Sequence, residues 1–147
     1  EPAKGHGLKH DPFNAIIAPR PIGWISSRDT NGNVNLAPYS FFNAFCYKPP
    51  IIGFSSTNWK DSAANIQETK EFVWNLATKD LAQQMNATAA HVARDVNEFN
   101  IAGLTAVPGT LVNVPRVAES PVAFECRLTQ ILQLTGANGE KAQAWQP

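Results

Sequence analysis

The chain has 147 residues, which is enough for one domain with its own hydrophobic core. Hydrophobic residues make up 44% of it and charged residues 16%, a composition that excludes intrinsic disorder. Twelve basic residues balance twelve acidic ones, so the chain lacks the positive excess with which proteins bind nucleic acid or an anionic membrane. Its apolar runs fall far short of the roughly 18 residues of a membrane span. Because no secretion signal opens the sequence, we expect a cytoplasmic protein.

The first third of the sequence predicts a polar segment followed by β-strands. Residues 1–12 are polar, and 13–147 are expected to form a single domain. Strand-forming residues from Ile22 to Arg28 precede the turn-forming stretch DTNGN and then VNLAPYSFF, a pattern that predicts a β-hairpin. After the double proline at 49–50, IIGFSS predicts a short buried strand.

The middle of the chain predicts helices separated by one strand. DSAANIQETK has a helical pattern with Asp61 or Ser62 as its N-cap, and EFVWNLAT returns to strand-forming residues. Thr78 is expected to cap a helix in KDLAQQMNATAA. VNEFNIAGL predicts a short helix that ends at its glycine, Gly103.

The last third contains the clearest periodicity. In PVAFECRLTQILQL, apolar residues occupy nearly every even position from Val122 to Leu134, which predicts a long half-buried antiparallel strand. A turn is expected at 136–140, and KAQAWQP at 141–147 resembles the start of a further strand. Together these elements predict a mainly antiparallel barrel or sandwich.

Local motifs for catalysis and metal binding are missing from the sequence. It contains no nucleophile elbow and no glycine-rich phosphate loop, and His6 and His10 have no third ligand nearby. Cys46 and Cys126 lie eighty positions apart, so we expect reduced core thiols, with a disulfide as the alternative. If the protein performs chemistry, a bound cofactor is expected to carry it.

The stretch FSSTNWKD has the composition of an anion site. Ser55 and Ser56 end a predicted strand, and Lys60 precedes a predicted helix whose first amide groups lack partners. A phosphate placed there would meet hydroxyl groups, an ammonium group and a helix N-terminus. Ordinary turn serines beside a solvated lysine are the alternative. Asp61 is better explained as the helix cap, because a carboxylate repels an anion.

The segment NLAPYSFF and the side chain of Trp24 offer flat apolar surface. Aromatic residues in strands usually belong to a core, but Pro38 should break the strand ladder and leave backbone groups free. Such groups could bind the edge of a planar heterocycle. From the residues alone, a phosphorylated ring ligand and an ordinary apolar core both remain open.

Several ordered motifs together resemble a known family. These are HDPFNAIIAPRPIGWISSRDTNGNVNLAPYSFFNAFCYKPPIIGFSS, KDSAANIQETKEFVWNLAT and LAQQMNATAA, which span most of the chain between His10 and Leu134. They are similar to the flavin reductase-like family of FMN-binding split-barrel proteins. That family includes flavoredoxins and the reductase components of two-component monooxygenases.

The resemblance implies a mainly β fold, namely a six-stranded Greek-key split β-barrel with a few short helices that works as a homodimer. It places Ser26 and Ser27 against the flavin, and Tyr39, Ser40 and Phe41 along the isoalloxazine ring. It places the remaining candidates around the ribityl phosphate of FMN: Ser55, Ser56, Lys60, Asp61 and Ser62. Arg20 is a second phosphate candidate, with a structural salt bridge as its alternative. The resemblance implies no catalytic acid or base and no metal.

The implied activity is reduction of FMN by NADH or NADPH, followed by electron delivery to an acceptor, with a monooxygenase or another redox protein as the candidate partner. A flavoredoxin-like electron carrier without enzymatic activity is the alternative, and a module of the same fold that has lost flavin is a third hypothesis. In the family the barrel continues beyond the position equivalent to Pro147, so we expect its C-terminal part to be missing from this chain.

Overall fold

The computed structural model describes residues 4–142, and most of its regular structure is β. The strands are β1 (Gly23–Arg28), β2 (Val34–Tyr39), β3 (Phe42–Cys46), β4 (Ile51–Phe54), β5 (Glu71–Asn75), β6 (Ala106–Val107), β7 (Arg116–Val117) and β8 (Ala123–Arg127). The helices are α1 (Phe13–Ile16), α2 (Asp61–Thr69), α3 (Ala82–Ala87) and α4 (Glu98–Ala102), with a 3₁₀ turn at Lys79–Leu81 before α3.

An antiparallel sheet of four strands, in the order β2-β1-β5-β8, forms the centre of the molecule. The predicted hairpin is confirmed, because β1 and β2 pair along their whole length from Gly23↔Tyr39 to Arg28↔Val34. The carboxylate of Asp29 closes the connecting turn by accepting hydrogen bonds from the backbone N–H groups of Asn31 and Asn33.

Strand β1 is buried on both faces of this sheet. Because side chains alternate along a strand, Trp24 and Ser26 lie on one face and Ile25 and Ser27 on the other. We call these the Trp24 face and the Ile25 face. The Trp24 face packs against apolar residues of α4 and of the chain that follows it: Phe99, Leu104 and Val117. The Ile25 face packs against Tyr39, Ile66 and Phe72.

Buried polar groups connect the layers on the Trp24 face. The side-chain amide of Asn75 is fully buried and donates to the carbonyl of Trp24 and the hydroxyl of Ser26, at 3.3 Å each. Its Oδ1 accepts from the backbone N–H of Val117 at 2.8 Å. One side chain of β5 therefore joins β1 to β7.

The outer edge of the sheet at β2 is closed in two ways. The carboxylate of Glu98 accepts the N–H of Leu36 at 3.0 Å, which shows that this N–H faces away from β1. Pro38 is two residues further on, so the donor that it lacks belongs to the same outer edge. The prediction that Pro38 breaks the ladder is therefore wrong: pairing continues through Trp24↔Pro38 to Tyr39.

A separate two-stranded ribbon, β3 and β4, follows β2. The predicted strand at β4 exists, but its residues are exposed or half-buried, so the expectation of a buried strand is wrong. The reason is that β4 pairs with β3 and lies outside the main sheet. Phe45 and Tyr47, at the free end of the ribbon, are 73% and 85% exposed.

The helices follow the sequence pattern with one correction. α2 begins at Asp61, and its N-cap is Lys60 instead of the predicted Asp61 or Ser62. Thr78 precedes the 3₁₀ turn as expected, although its side chain makes no capping hydrogen bond. α4 ends as predicted at Gly103, whose φ of 65° is the left-handed conformation that glycine adopts easily.

The predicted strand at 121–134 is much shorter in the structure. β8 ends at Arg127, and Phe124 and Leu134 are 48% and 60% exposed. β8 lies at the edge of the sheet and pairs only with β5 among residues 4–142. The chain after Arg127 therefore does not continue as part of this sheet. The turn at 136–140 is present, whereas most of the strand expected at 141–147 lies outside the described residues.

The two cysteines are free, as predicted, but neither belongs to a fully buried core. Cys46 is exposed at the end of β3. Cys126 is half-buried on the Ile25 face, where burial raises the pKa of its thiol to about 11. Cys126 is therefore protonated and unreactive at neutral pH.

We expect Asn75→Ala to destabilise the protein by roughly 1–3 kcal/mol, because it leaves the buried N–H of Val117 without an acceptor. Urea unfolding of the purified variant measures this change. Asn86→Ala, on an exposed turn of α3, is the control and should stay within about 0.5 kcal/mol of the parent. Equal stability of the two variants would contradict the linking role of Asn75.

Candidate functional site

Three of the segments predicted to bind a ligand meet near the N-terminal end of α2. The loop after β4 is joined to the short connection between β2 and β3 by a hydrogen bond of 2.8 Å, which runs from the N–H of Ser55 to the carbonyl of Phe41. Ser56 follows, and Lys60 caps the helix a few residues later. The hydroxyl groups of Ser55 and Ser56 and the ammonium group of Lys60 therefore belong to the short loop that leads from β4 into the N-terminus of α2.

Tyr39 occupies the inner wall of this region. Its ring is only 5% exposed and packs on Phe54, with 4.5 Å between the ring centroids. Burial raises the pKa of the Tyr39 hydroxyl, although the hydroxyl groups of Ser62 and Ser56 lie near enough to lower it. Tyr39 is therefore a neutral hydrogen-bond donor at physiological pH.

The Tyr39 hydroxyl is buried, and no residue in the described part of the chain makes a well-formed hydrogen bond to it. A buried polar group without a partner costs free energy, so such a group needs an explanation, and a bound ligand is one. Because Asp61 and Ser62 belong to the first turn of α2, the unpartnered donor lies beside the start of that helix.

The N-terminus of α2 adds further donors to the same region. No side chain caps the helix, and its first-turn N–H groups have no acceptors within the helix itself. The helix is nine residues long, and its dipole places partial positive charge at this end. Exposed Lys60 precedes it. The arrangement is suited to a phosphate or another oxyanion.

Other hydroxyl groups of the region already have partners. Ser62 is buried and accepts a hydrogen bond of 2.7 Å from the side-chain amide of Asn35. Ser56 donates to the carbonyl of Asn58 at 2.5 Å. Each hydroxyl has capacity left, because a serine donates one hydrogen bond and accepts two. Ser55 is exposed.

Ser26 and Ser27 are placed differently from the other candidates. Both are fully buried, and they point to opposite faces of the sheet. Ser26 donates to the carbonyl of Pro115 at 2.6 Å on the Trp24 face. Ser27 accepts from the side-chain amide of Asn65 at 3.2 Å, on the same face as Tyr39. Contact of either hydroxyl with a ligand stays a prediction that this packing does not support.

Arg20, the second phosphate candidate, holds backbone carbonyls in the structure. It bonds to backbone carbonyls: its Nε lies 3.1 Å from the carbonyl of Ser40, and its Nη1 donates to those of Asn14 and Ile17. Its guanidinium also lies over the ring of Phe41, 5.4 Å from the centroid. Arg20 thus connects the segment around α1 to residues 40–41.

One charged residue of the site is missed by sequence reasoning. Arg94, in the loop between α3 and α4, pairs with Asp61 at 3.3 Å and donates to the side chain of Asn65 at 2.9 Å. It also lies 3.5 Å from a carboxylate oxygen of Asp29. These partners are about thirty or more positions away in the sequence, so no local motif reveals the contact.

Two cavities of about 400 and 370 Å³ lie away from this region. The larger one lies by Lys70 at the opposite end of α2, and the smaller one lies by Arg28 and Asn113. Neither cavity is lined by a buried unpartnered group, so we place the candidate site at the N-terminal end of α2.

Within residues 4–142, no cluster of three side chains is suited to hold a metal ion, and no helix is long and apolar enough to cross a membrane.

The fold defines a class: a mainly β split-barrel protein. Residues 17–138 match the family model described as "Flavin reductase like domain". The chain belongs to this family, as its motifs indicated. The structural matches also confirm the split-barrel fold expected from the resemblance.

Individual relatives agree with this assignment. An uncharacterized protein of Aquifex aeolicus is 40% identical over 118 residues, which are 77% of this chain and 60% of that protein. The structure of nitrilotriacetate monooxygenase component B from Bacillus cereus matches with a TM-score of 0.79 at 28% identity, over 93% of this chain and 73% of that one. Flavoredoxin of Desulfovibrio vulgaris (Miyazaki F) matches in fold, with a TM-score of 0.73 at 24% identity over 86% and 69% of the two chains. The chain spans about 60% of the length of the curated relatives that it matches.

Tyr39→Phe tests whether the hydroxyl is unpartnered in the ligand-free protein. Removing a buried polar group without a partner should leave stability unchanged or raise it by up to about 2 kcal/mol. Ser62→Ala should lower it by roughly 1–3 kcal/mol, since Asn35 loses a buried acceptor. Urea unfolding compares the two. A Tyr39→Phe variant that is clearly less stable than the parent would show that the hydroxyl has a partner.

Proposed function

We propose that the chain binds FMN and acts as an oxidoreductase that takes electrons from NADH or NADPH and passes them to an acceptor. The observation that carries this proposal is the buried hydroxyl of Tyr39, which makes no well-formed hydrogen bond and lies beside the uncapped start of α2. Membership of the flavin reductase-like family supplies the kind of ligand for which such a donor set is suited.

The phosphate of FMN is assigned to the N-terminal end of α2. Tyr39 would donate its free hydroxyl, Lys60 its charge, and the first turn of α2 its N–H groups. Ser55, Ser56 and Ser62 would complete the set with hydroxyl groups. This assignment moves Tyr39 from the ring, where the resemblance placed it, to the phosphate, because its own ring is packed in the core.

The flavin ring is assigned to the stretch formed by exposed Ser40 and half-buried Phe41. Arg20 holds this stretch by its bond to the Ser40 carbonyl and its stacking on Phe41. When bound, FMN supplies the redox chemistry, since flavins accept electrons from nicotinamides. The residues of the chain bind and orient it, and no residue is assigned the role of a catalytic acid or base.

We also propose that the working unit is a homodimer. The ribbon of β3 and β4 exposes Phe45 and Tyr47, and large exposed aromatic residues are typical of surfaces that contact another protein. The proposed acceptor is a separate protein, since the matched Bacillus cereus protein is by its name one component of a monooxygenase.

Lys60→Ala should weaken FMN binding about tenfold, because one charge-assisted contact to phosphate contributes roughly 1.5–3 kcal/mol. Riboflavin, which lacks the phosphate, should bind the variant and the parent equally. Quenching of flavin fluorescence on titration with protein measures both affinities. Lys79→Ala, an exposed lysine of the 3₁₀ turn, is the matched control. If Lys60→Ala binds FMN as the parent does, Lys60 is only a solvated side chain.

Nicotinamide reactivity separates a reductase from an electron carrier. We expect the visible absorption band of the FMN-loaded protein to bleach on anaerobic mixing with NADH or NADPH, and steady oxidation of the nicotinamide when free FMN is added. A protein that binds FMN but bleaches with neither nicotinamide would be the flavoredoxin-like carrier. A protein that binds no flavin would contradict the proposal altogether.

A further inference from the structure

Asp61 creates an electrostatic problem for the site proposed above. It is the first residue of α2, and its side chain is 36% exposed at the end of the helix assigned to the phosphate. It lies near enough to the hydroxyl of Tyr39 to act on the pKa of that group. Two anions held at one helix terminus repel each other, so a phosphate could bind there only if the charge of Asp61 is balanced.

Arg94 is placed to balance that charge. Its Nη1 lies 3.3 Å from Oδ1 of Asp61, and its Nη2 donates to Oδ1 of Asn65, one turn further along the same helix. Two contacts to α2 orient the guanidinium, although its side chain is 47% exposed. The contact of 3.3 Å between Arg94 and the side chain of Asp61 is both a hydrogen bond and an ion pair.

Arg94 makes a third contact, an ion pair of 3.5 Å with Asp29. Asp29 already accepts hydrogen bonds from the backbone of Asn31 and from the backbone and side chain of Asn33. The side-chain bond from Asn33 is the main reason why the pKa of Asp29 is lowered, and the charge of Arg94 contributes least. Asp29 therefore has hydrogen-bond donors other than Arg94, although its side chain is only 2% exposed and Arg94 also offsets its charge.

We infer that Arg94 is a positioning residue for the phosphate site, which acts by neutralising Asp61. This inference rests on the proposed binding of FMN. The ion pair leaves the start of α2 with the partial charge of its dipole and the full charge of Lys60. Without Arg94, the carboxylate of Asp61 would cancel much of this attraction. Arg94 itself does not need to touch the ligand.

The test is a set of variants titrated with FMN and with riboflavin. Arg94→Met should weaken FMN binding about tenfold and change riboflavin binding by less than about twofold, since only FMN carries the repelled charge. Adding Asp61→Asn to Arg94→Met should restore most of the lost FMN affinity. Arg94→Lys keeps the charge and should stay within about threefold of the parent for both ligands.

Three results would overturn the inference. Equal losses of FMN and riboflavin in Arg94→Met would mean that Arg94 only holds the fold of its loop. A double variant as weak as Arg94→Met would mean that Asp61 is not the group being neutralised. A parent protein that binds FMN no better than riboflavin would remove the phosphate site itself. Failure of the proposed function differs from all three, because the parent would then bind neither flavin.

Discussion

Burial of the central strand β1 on both faces is the constraint on which the rest of the structure depends. Two adjacent serines occupy its middle, and a buried hydroxyl needs a partner. Ser26 finds the Pro115 carbonyl on the Trp24 face, which fixes the segment before β7. Ser27 finds Asn65 on the Ile25 face, which fixes the rotation of α2. Through Asn65 and Ile66, the strand thus decides where the N-terminal end of α2 lies relative to Tyr39.

The electrostatics of the site follow from that placement. The chain has no net charge, so local arrangement must create any attraction for an anion. Here a helix dipole and a lysine lie at one end of α2, and the single acidic side chain in its first turn is paired with an arginine from a distant loop. The loop that carries Arg94 has little regular structure of its own, yet it is held against both α2 and the turn after β1. The site therefore depends on contacts between parts of the chain that are far apart in sequence.

Much of the fold could be predicted from local pattern, because hairpins, helix caps and turns are determined by neighbouring residues. The β1–β2 hairpin and the glycine end of α4 are examples. Burial could not be predicted as well. IIGFSS has the pattern of a buried strand, but its pairing with β3 leaves it half-exposed, and the even-numbered residues after Arg127 have no partner strand in the described chain. In the site, Lys60 and the serines have a local pattern, whereas Arg94 has none. The side chains of Ser26 and Ser27 point to opposite faces of the sheet, so their contact with a ligand stays a prediction.

The outer edge of β2 has a consequence for the behaviour of the protein in solution. An exposed edge strand usually offers a row of free N–H groups, to which a strand of another molecule can add and start aggregation. Here the N–H of Leu36 is taken by Glu98, and at Pro38 there is none. A foreign strand would find two successive outward positions without a donor. Pro38, an unusual residue within a β-strand, therefore protects the outer edge of β2 against uncontrolled self-association.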